Sequence, residues 1–216
     1  MTQGRYHAAG PEGEFEPGSH GRVLRNRPGI RRVRQMQQAE SEALLAVQEW
    51  AIAHFDAEHR FTAADIQRLH RQWLGGIYTW AGEYRSVNVS KGGFLFAAAA
   101  QVPRLMTELE DKALSRFTPC VGMDESLLLE ALAHSHAELV LIHPFREGNG
   151  RCARLLAWLM ALQAGLPPLD FSPMAGRGKK AYFAAVQAAL DGDYAPMQRC
   201  FSRVVRRTQK DYGASS

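Results

Sequence analysis

Apolar positions recur at helical spacing along most of the chain. Between Gln35 and His54 an apolar side chain returns every three or four residues, which predicts an amphipathic helix. Thr62 precedes a second stretch of this kind that runs to Gly75, and threonine is a common N-cap. Further stretches with helical periodicity lie at 100–116, 124–140, 150–164, 177–190 and 193–209. The pattern therefore predicts an all-α protein.

Local signals mark two of these helix ends. Asp124 is placed to cap the start of the helix at 124–140, since a carboxylate accepts hydrogen bonds from free N–H groups in a first turn. Gly165, followed by Pro167, is placed to end the helix at 150–164. These signals support the predicted boundaries independently of the periodicity.

One stretch departs from helical periodicity. Residues 83–96 (EYRSVNVSKGGFLF) alternate β-formers with polar residues around Gly92 and Gly93, which is the pattern of a β-hairpin. A two-stranded hairpin is marginally stable alone in water, so this one must pack on the helices. Phe94 and Phe96 either contact a ligand or anchor the hairpin to the core, and the sequence leaves both interpretations open.

The composition is that of a compact globular protein. The 216 residues, 46% of them hydrophobic, can bury a sizeable core. We expect an irregular basic N-terminal arm at 1–34 and one catalytic domain at 35–210. The apolar runs are too short to span a bilayer and no secretory leader opens the chain, so we expect no membrane partner and a cytoplasmic location. Cys120, Cys152 and Cys200 show no metal-ligand spacing, which fits reduced thiols.

The net charge of +4 is unevenly distributed, because six arginines lie between Arg22 and Arg34. Such a segment could contact phosphates of a nucleic acid. It lacks interleaved aromatic residues for base stacking, however, and no nucleic-acid-binding module surrounds it. We therefore expect a solvated or structural basic segment and no nucleic-acid partner, with a protein-docking surface as the alternative.

The densest chemistry lies in residues 143–154 (HPFREGNGRCAR). A Gly-Asn-Gly turn at 148–150 opens a helix, and free N–H groups at a helix start favour an anion such as phosphate. Arg151 and Arg154 lie three residues apart, so both can grip one polyphosphate. Glu147 can hold a divalent cation against it, and His143 can accept a proton near neutral pH. Together these residues predict nucleotidyl or phosphoryl transfer.

The same run resembles the signature of the Fic (Fido) family, H-P-F-x-[D/E]-G-N-G-R-x-x-R, at every specified position. The resemblance implies an all-α Fic/Fido domain of about seven or eight helices with a small β-hairpin flap over the active site. It implies AMP transfer from the substrate ATP to a Ser, Thr or Tyr hydroxyl of a target protein. The related Doc-like kinases lack the Gly-Asn-Gly-Arg part, so its presence favours AMP transfer over phosphate transfer.

The resemblance also implies a role for each motif residue. His143 would deprotonate the target hydroxyl, and Phe145 would pack beneath the loop. Glu147 would hold Mg²⁺ between the α- and β-phosphates, while Arg151 and Arg154 would contact the β- and γ-phosphates. The family anion cradle corresponds to Gly148, Asn149 and Gly150.

Other residues receive weaker assignments. In Fic proteins the flap binds the target segment by strand addition, which makes Lys91, Gly92, Gly93 and Phe94 candidate target contacts. Tyr182 is a candidate for the border of the adenine pocket, with core packing as the alternative. Two histidines on the approach helix, His134 and His136, are expected to be structural or solvent-facing.

Regulation is the remaining expectation. Many Fic proteins are inhibited by a helix carrying [S/T]-x-x-x-E-[G/N], whose glutamate pairs with the second motif arginine. Glu12-Gly13 has Ala8 where Ser or Thr is required, and residues 191–216 contain no glutamate. We therefore expect a bacterial toxin whose separate small antitoxin supplies this glutamate to Arg154, with delivery into a host cell as the alternative setting. Transfer of UMP, phosphocholine or phosphate, and a non-catalytic peptide-binding module, are the alternative functions.

Overall fold

The computed structural model describes residues 13–213, and this part of the chain is mostly helical. The helices are α1 (Val33–His54), α2 (Ala63–Leu74), α3 (Val102–Leu109, continued by Glu110–Leu114 and Ser115–Phe117), α4 (Glu125–Ile142), α5 (Asn149–Gln163), α6 (Lys179–Ala188) and α7 (Ala195–Gly213). Each predicted helix is present, with ends within a few residues of the prediction. Short 3₁₀ turns flank α3 and α6.

Both predicted end signals of the helices act as expected. The Asp124 carboxylate accepts a hydrogen bond from the Leu127 N–H at 2.8 Å, as an N-cap does. Gly165 has φ +80°, and the Leu166 N–H donates back to the Ala161 carbonyl at 3.0 Å. This pair of features is a Schellman ending, in which glycine supplies the left-handed residue.

Helix α3 contains a feature that the periodicity did not predict. Residues Glu110–Leu114 form a π-helical segment between two α-helical ones. A π segment inserts one residue into the helical repeat without ending the helix. The buried residues across it still recur every three or four positions, namely Val102, Met106, Leu109, Ala113 and Phe117. The sequence therefore correctly predicted one helix at 100–116 and missed the π segment.

The predicted hairpin is present, but it is shorter than residues 83–96. Strands β1 (Ser90–Lys91) and β2 (Phe94–Leu95) pair antiparallel around Gly92 and Gly93, whose φ values are +56° and +82°. Positive φ at both central residues is the geometry of a type I′ turn. One further bond continues the ladder, from the Phe96 N–H to the Val89 carbonyl at 3.3 Å, whereas the Val87 carbonyl accepts a hydrogen bond from the Arg85 side chain.

The chain divides into two compact units. Among the described residues, the first comprises 13–54, 63–106 and 142–149, and the second comprises 55–62, 107–141 and 150–213. In the first unit, Trp73 is buried and its Nε1–H donates to the Glu40 carbonyl at 2.8 Å. Glu40 is itself buried, and its carboxylate accepts a hydrogen bond from the Tyr78 hydroxyl at 2.8 Å. Among the described residues of the first unit, Glu40 is thus a buried acid that a tyrosine hydroxyl satisfies.

The second unit is built on α4 and α5, which are buried along most of their length. Arg60 lies outside the helices of this unit and joins its segments by donating to the carbonyls of Ser115 and Thr118 at 3.1 and 3.0 Å. Cys120, Cys152 and Cys200 are all buried and form no disulfide. No helix in residues 13–213 is long and apolar enough to cross a membrane.

The N-terminal segment is partly ordered. Phe15 pairs with Leu24 in an isolated antiparallel bridge, and the Asn26 side chain donates to the carbonyls of Leu24 and Ile30, each at 2.9 Å. Residues 13–34 belong to the first compact unit. The division of the chain into an arm at 1–34 and a domain at 35–210 stays a prediction, and residues 1–12 lie outside the described part.

Candidate active site

His143 begins the candidate site with an unusual backbone conformation. It follows directly on the last residue of α4, is 3% exposed, and has φ +53°. A left-handed backbone at a residue other than glycine costs about 1–2 kcal/mol, so neighbouring contacts must hold it. Such local strain is common at active sites, because it aims a side chain in a direction that a helix could not provide.

Asn149 closes the loop that follows His143. Its side-chain oxygen accepts from the Phe145 N–H at 2.8 Å, and its side-chain nitrogen donates to the Phe145 carbonyl at 2.7 Å. Asn149 is 1% exposed and is also the first residue of α5. Both polar atoms of its side chain therefore bond within the loop, and any contribution to an anion cradle would come from its backbone N–H.

Gly148 is required by two features of the same loop. Its φ is +84°, and a Cβ built on it would lie 2.8 Å from Cζ3 of the buried Trp73. Real Cβ atoms do not approach carbon that closely, and no other residue adopts this conformation as readily as glycine. The first glycine of the Gly-Asn-Gly turn thus lets the loop lie against α2.

His70 supports the loop from below. The Gly82 N–H donates to His70 Nδ1 at 2.9 Å, so the proton lies on Nε2, which donates to the Glu147 carbonyl at 3.0 Å. The His70 ring stacks on Phe145 with 3.8 Å between ring centroids. Phe145 is fully buried, which confirms its predicted place beneath the loop.

Glu147 is the residue expected to hold Mg²⁺. Within residues 13–213 no three His, Cys, Asp or Glu side chains come together as a metal-binding group. A single carboxylate fits Mg²⁺, because this ion is usually bound by one or two carboxylates together with substrate phosphates and water. One Glu147 oxygen accepts from the Gly148 N–H at 3.0 Å, which fixes the direction of the carboxylate.

A cavity of about 350 Å³ lies beside this part of the first unit. Arg146, Glu147, Glu40 and Tyr78 line it together with residues of the N-terminal segment and α1. His143 and the flap do not line it. The lining of this cavity therefore includes the Glu147 carboxylate but not the candidate base.

The flap hairpin reaches His143 through Phe96. The two rings stack with centroids 3.6 Å apart and an interplanar angle of 19°, and Phe94 packs edge-on against Phe96 at 5.2 Å. Gly92 and Gly93 are exposed, Lys91 is half-buried, and Leu95 is 76% exposed. Phe96 thus packs against the candidate base, whereas the tip of the hairpin is presented outward.

The second half of the motif belongs to the first turns of α5 in the second unit, where Arg151 and Arg154 are half-buried. His136 is 1% exposed and accepts from or donates to the Tyr182 hydroxyl at 3.0 Å. Burial, together with the smaller effect of the neighbouring charge of Arg154, lowers the pKa of His136 to about 3. His136 is therefore neutral and structural at physiological pH.

Tyr182 and His134 also pack within the second unit. Tyr182 is 6% exposed, and burial raises its pKa to about 12. His134 stacks on Tyr194 with ring centroids 3.6 Å apart. The role of Tyr182 at the border of the adenine pocket stays a prediction. Its buried hydrogen bond to His136 fits the alternative, core packing.

Sequence reasoning missed two supporting residues, Arg85 and His70. Arg85 donates to the His143 carbonyl across 58 positions of sequence, and His70 to the Glu147 carbonyl across 77. Neither belongs to a local motif with a mechanism of its own. The only signal for Arg85 was its place in the stretch 80–85 (WAGEYR), which resembles the usual entry into the Fic flap.

Known proteins resemble this chain in sequence and in fold. The Fic/DOC family model matches residues 60–161. The probable protein adenylyltransferase Fic of Escherichia coli (strain K12) is 30% identical over 187 residues, which cover 85% of this chain and 88% of that protein. The chain belongs to the Fic/DOC family. Its predicted class, a nucleotidyltransferase enzyme, is confirmed by this and other relatives that carry the name protein adenylyltransferase.

Some relatives are much longer. The protein adenylyltransferase VbhT of Bartonella schoenbuchensis is 28% identical over 143 residues, and the match covers 66% of this chain but only 30% of that protein. In such proteins the matching part is one portion of a larger chain. Activities and partners that depend on their other portions do not transfer to these 216 residues.

Solved structures share the fold. The N-terminal Fic domain of an effector protein from Bartonella sp. AR 15-3 has a TM-score of 0.71 at 22% identity, covering 88% of this chain and 89% of that chain. BepC of Bartonella tribocorum, crystallised with bound AMPPNP, has a TM-score of 0.67 at 23% identity, covering 84% and 91%. These likenesses confirm the predicted helical Fic fold with its small hairpin.

Proposed function

We propose that this chain transfers AMP from ATP to a Ser, Thr or Tyr hydroxyl of a target protein. The observation that carries the proposal is the loop at 143–149. It holds a buried histidine and a carboxylate four residues apart, and it opens directly into a helix that bears two arginines. The names of the relatives and the AMPPNP bound in BepC support ATP as the nucleotide.

In the proposed reaction the target hydroxyl oxygen attacks the α-phosphorus of ATP. A phosphodiester bond to the target forms, the bond between the α-phosphorus and its bridging oxygen to the β-phosphate breaks, and pyrophosphate leaves. The imidazole of His143 takes the hydroxyl proton. Arg151 and Arg154 hold the β- and γ-phosphates through charge-assisted hydrogen bonds, so the leaving group is positioned before the attack.

Glu147 is the proposed ligand of Mg²⁺. When bound, this ion would neutralise phosphate charge that develops on the leaving pyrophosphate. The carboxylate is directed by the Gly148 N–H, and the Glu147 carbonyl is held by His70. These contacts support a fixed position for the carboxylate.

The flap is the proposed docking edge for the target. Because β2 is paired only with β1 among the described strands, it offers main-chain groups to an extended target segment. Lys91, Gly92, Gly93 and Phe94 would contact that segment, and the exposed Leu95 belongs to the same surface.

The proposal includes a toxin held inactive by a separate antitoxin. The sequence has two Glu-Gly pairs, Glu12-Gly13 and Glu147-Gly148, and the residue four positions before each glutamate is Ala8 or His143 instead of Ser or Thr. A partner glutamate would pair with Arg154 and displace the γ-phosphate. Co-purification of a small protein with that motif would support this, whereas normal growth of bacteria that overexpress the chain alone would count against it.

The deciding experiment compares labelled nucleotides. The purified protein is incubated with Mg²⁺, a bacterial lysate and either α-³²P-ATP or γ-³²P-ATP, beside the variants His143→Ala and His54→Ala. His54 is exposed at the end of α1 and bonds only its own helix, so it is a matched histidine control. We expect protein bands labelled from α-³²P-ATP in the wild type and His54→Ala, and none in His143→Ala.

Other outcomes select the alternative functions. Label from γ-³²P-ATP alone would indicate a kinase, and label from α-³²P-UTP or labelled CDP-choline would indicate transfer of UMP or phosphocholine. No label from any donor, together with peptide binding at the flap, would indicate a binding module and refute the enzymatic proposal.

A further inference from the structure

Arg85 is a buried arginine that contacts the start of the motif. It is 2% exposed, its Nε donates to the His143 carbonyl at 2.7 Å, and one Nη donates to the Ile142 carbonyl at 3.3 Å. Its backbone N–H donates to the Pro144 carbonyl at 2.8 Å. Three consecutive carbonyls around His143 are therefore held by this one residue.

The same guanidinium also holds both ends of the flap. One Nη donates to the Val87 carbonyl at 2.7 Å, and the other donates to the Ala97 carbonyl. Val87 precedes β1 and Ala97 follows β2, so these two bonds join the incoming and outgoing arms of the hairpin. A single side chain, that of Arg85, thus bonds both the flap and the motif loop.

This support lies next to the strained backbone of His143. A left-handed residue such as His143, at φ +53°, keeps its conformation only if its neighbours restrain it. Arg85 supplies this restraint, because it donates to the carbonyls of Ile142, His143 and Pro144. The outgoing arm of the flap places Phe96 on the imidazole, with ring centroids 3.6 Å apart. The orientation of the imidazole therefore depends on both the loop and the flap arm.

We propose that Arg85 is a positioning residue for the transfer reaction: it fixes the flap base and the His143 backbone together, so that Phe96 holds the imidazole in one orientation. The inference rests on the proposed role of His143 as base. Arg85 contacts neither nucleotide nor target in this scheme, so its loss lowers turnover and leaves nucleotide affinity largely unchanged.

An arginine suits this position better than a lysine. The planar guanidinium carries five N–H donors in a fixed fork, whereas a lysine ammonium is a single point with three rotatable donors. Only the fork reaches carbonyls of the loop and of both flap arms at once. Arg85→Lys keeps the charge and the backbone N–H bond to Pro144, and it removes this simultaneous reach.

The test uses Arg85→Lys with Arg60→Lys as its matched control. Arg60 likewise donates to two backbone carbonyls, but it lies in the other compact unit. In the wild type, the ring protons of His143 should resonate upfield in NMR spectra of histidine-labelled protein, because an aromatic ring stacks on them. We expect Arg85→Lys to lose this shift and its kcat to fall about 100-fold, the scale of a 1 Å misplacement, with KM for ATP little changed.

The control Arg60→Lys should keep both the shift and the turnover. A wild-type kcat in Arg85→Lys, or an unchanged His143 shift, would overturn the inference. Inactivity of the wild type with every nucleotide donor would instead refute the proposed function, and the NMR comparison would still decide whether Arg85 fixes the imidazole.

A second variant covers the case in which Arg85→Lys does not fold. Phe96→Leu keeps all the Arg85 hydrogen bonds and removes only the stacked ring. We expect it to fold, bind ATP normally, lose the His143 shift and lower kcat. Full turnover in Phe96→Leu would show that the imidazole needs no support from the flap arm, which would overturn the inference independently of Arg85.

Discussion

The substitution Gly148→Ala gives the sharpest test of how the motif loop is built. Two costs follow from the structure. At φ +84° an alanine loses about 1–2 kcal/mol relative to glycine. Its Cβ would also lie 2.8 Å from Cζ3 and 3.1 Å from Cη2 of Trp73, and overpacking of this kind costs about 1–3 kcal/mol.

Gly122→Ala separates the two costs. Gly122 has φ +73°, close to that of Gly148, but a Cβ there would have no neighbour within 4 Å. Both variants carry the conformational cost, and only Gly148→Ala carries the crowding. Urea titrations followed by more than one probe should therefore show a larger fall in the free energy of unfolding for Gly148→Ala, by about 1–3 kcal/mol.

A double-mutant cycle with Trp73→Phe identifies the source of the crowding. Phenylalanine lacks the outer ring atoms that the new Cβ would meet, so Gly148→Ala should cost less in this background. Trp73→Phe also removes the hydrogen bond to the Glu40 carbonyl. This cost is the same with and without Gly148→Ala, so it cancels in the cycle. Equal losses for Gly148→Ala and Gly122→Ala, or strict additivity with Trp73→Phe, would refute the crowding argument.

Two further predictions concern buried polar groups. Burial lowers the pKa of His136 to about 3, so between the ordinary histidine pKa and that value the unfolded chain binds a proton that the folded chain does not. The free energy of unfolding should fall as pH drops through this window, by up to about 1.4 kcal/mol per pH unit. Urea titrations at several pH values should show that the free energy of unfolding of His136→Gln depends less steeply on pH. Asn149→Ala removes two buried hydrogen bonds to Phe145 and should cost about 2–4 kcal/mol in the same assay, while retention of wild-type stability would show that the loop is held without them.

The sequence predicted best what is encoded locally. The helices follow from periodicity, and the caps at Asp124 and Gly165 follow from single residues next to them. The motif loop was predictable because its base, carboxylate and glycines lie within twelve residues, and the family resemblance assigned them together.

What the sequence did not predict depends on contacts between distant positions. The carbonyl of His143 has its partner at Arg85, and nothing in the spacing of these residues indicates the pair. The hairpin was also predicted too long, for a different reason. Alternation at 83–89 indicates strand propensity, but beyond the bond from the Phe96 N–H to the Val89 carbonyl, the Val87 carbonyl accepts from the side chain of Arg85, two residues away. A side-chain hydrogen bond here competes with strand pairing.

The loop at 143–149 is held by several contacts, and their number has a physical reason. Gly148 lets the loop lie against Trp73, Asn149 ties it to Phe145, and Arg85 fixes the carbonyls around His143. A single contact worth about 1 kcal/mol could not by itself hold a left-handed histidine backbone of similar cost. Several contacts together make the conformation the only stable one, so the imidazole is already oriented when substrates bind. Weakening any one of them should therefore lower turnover before it unfolds the protein.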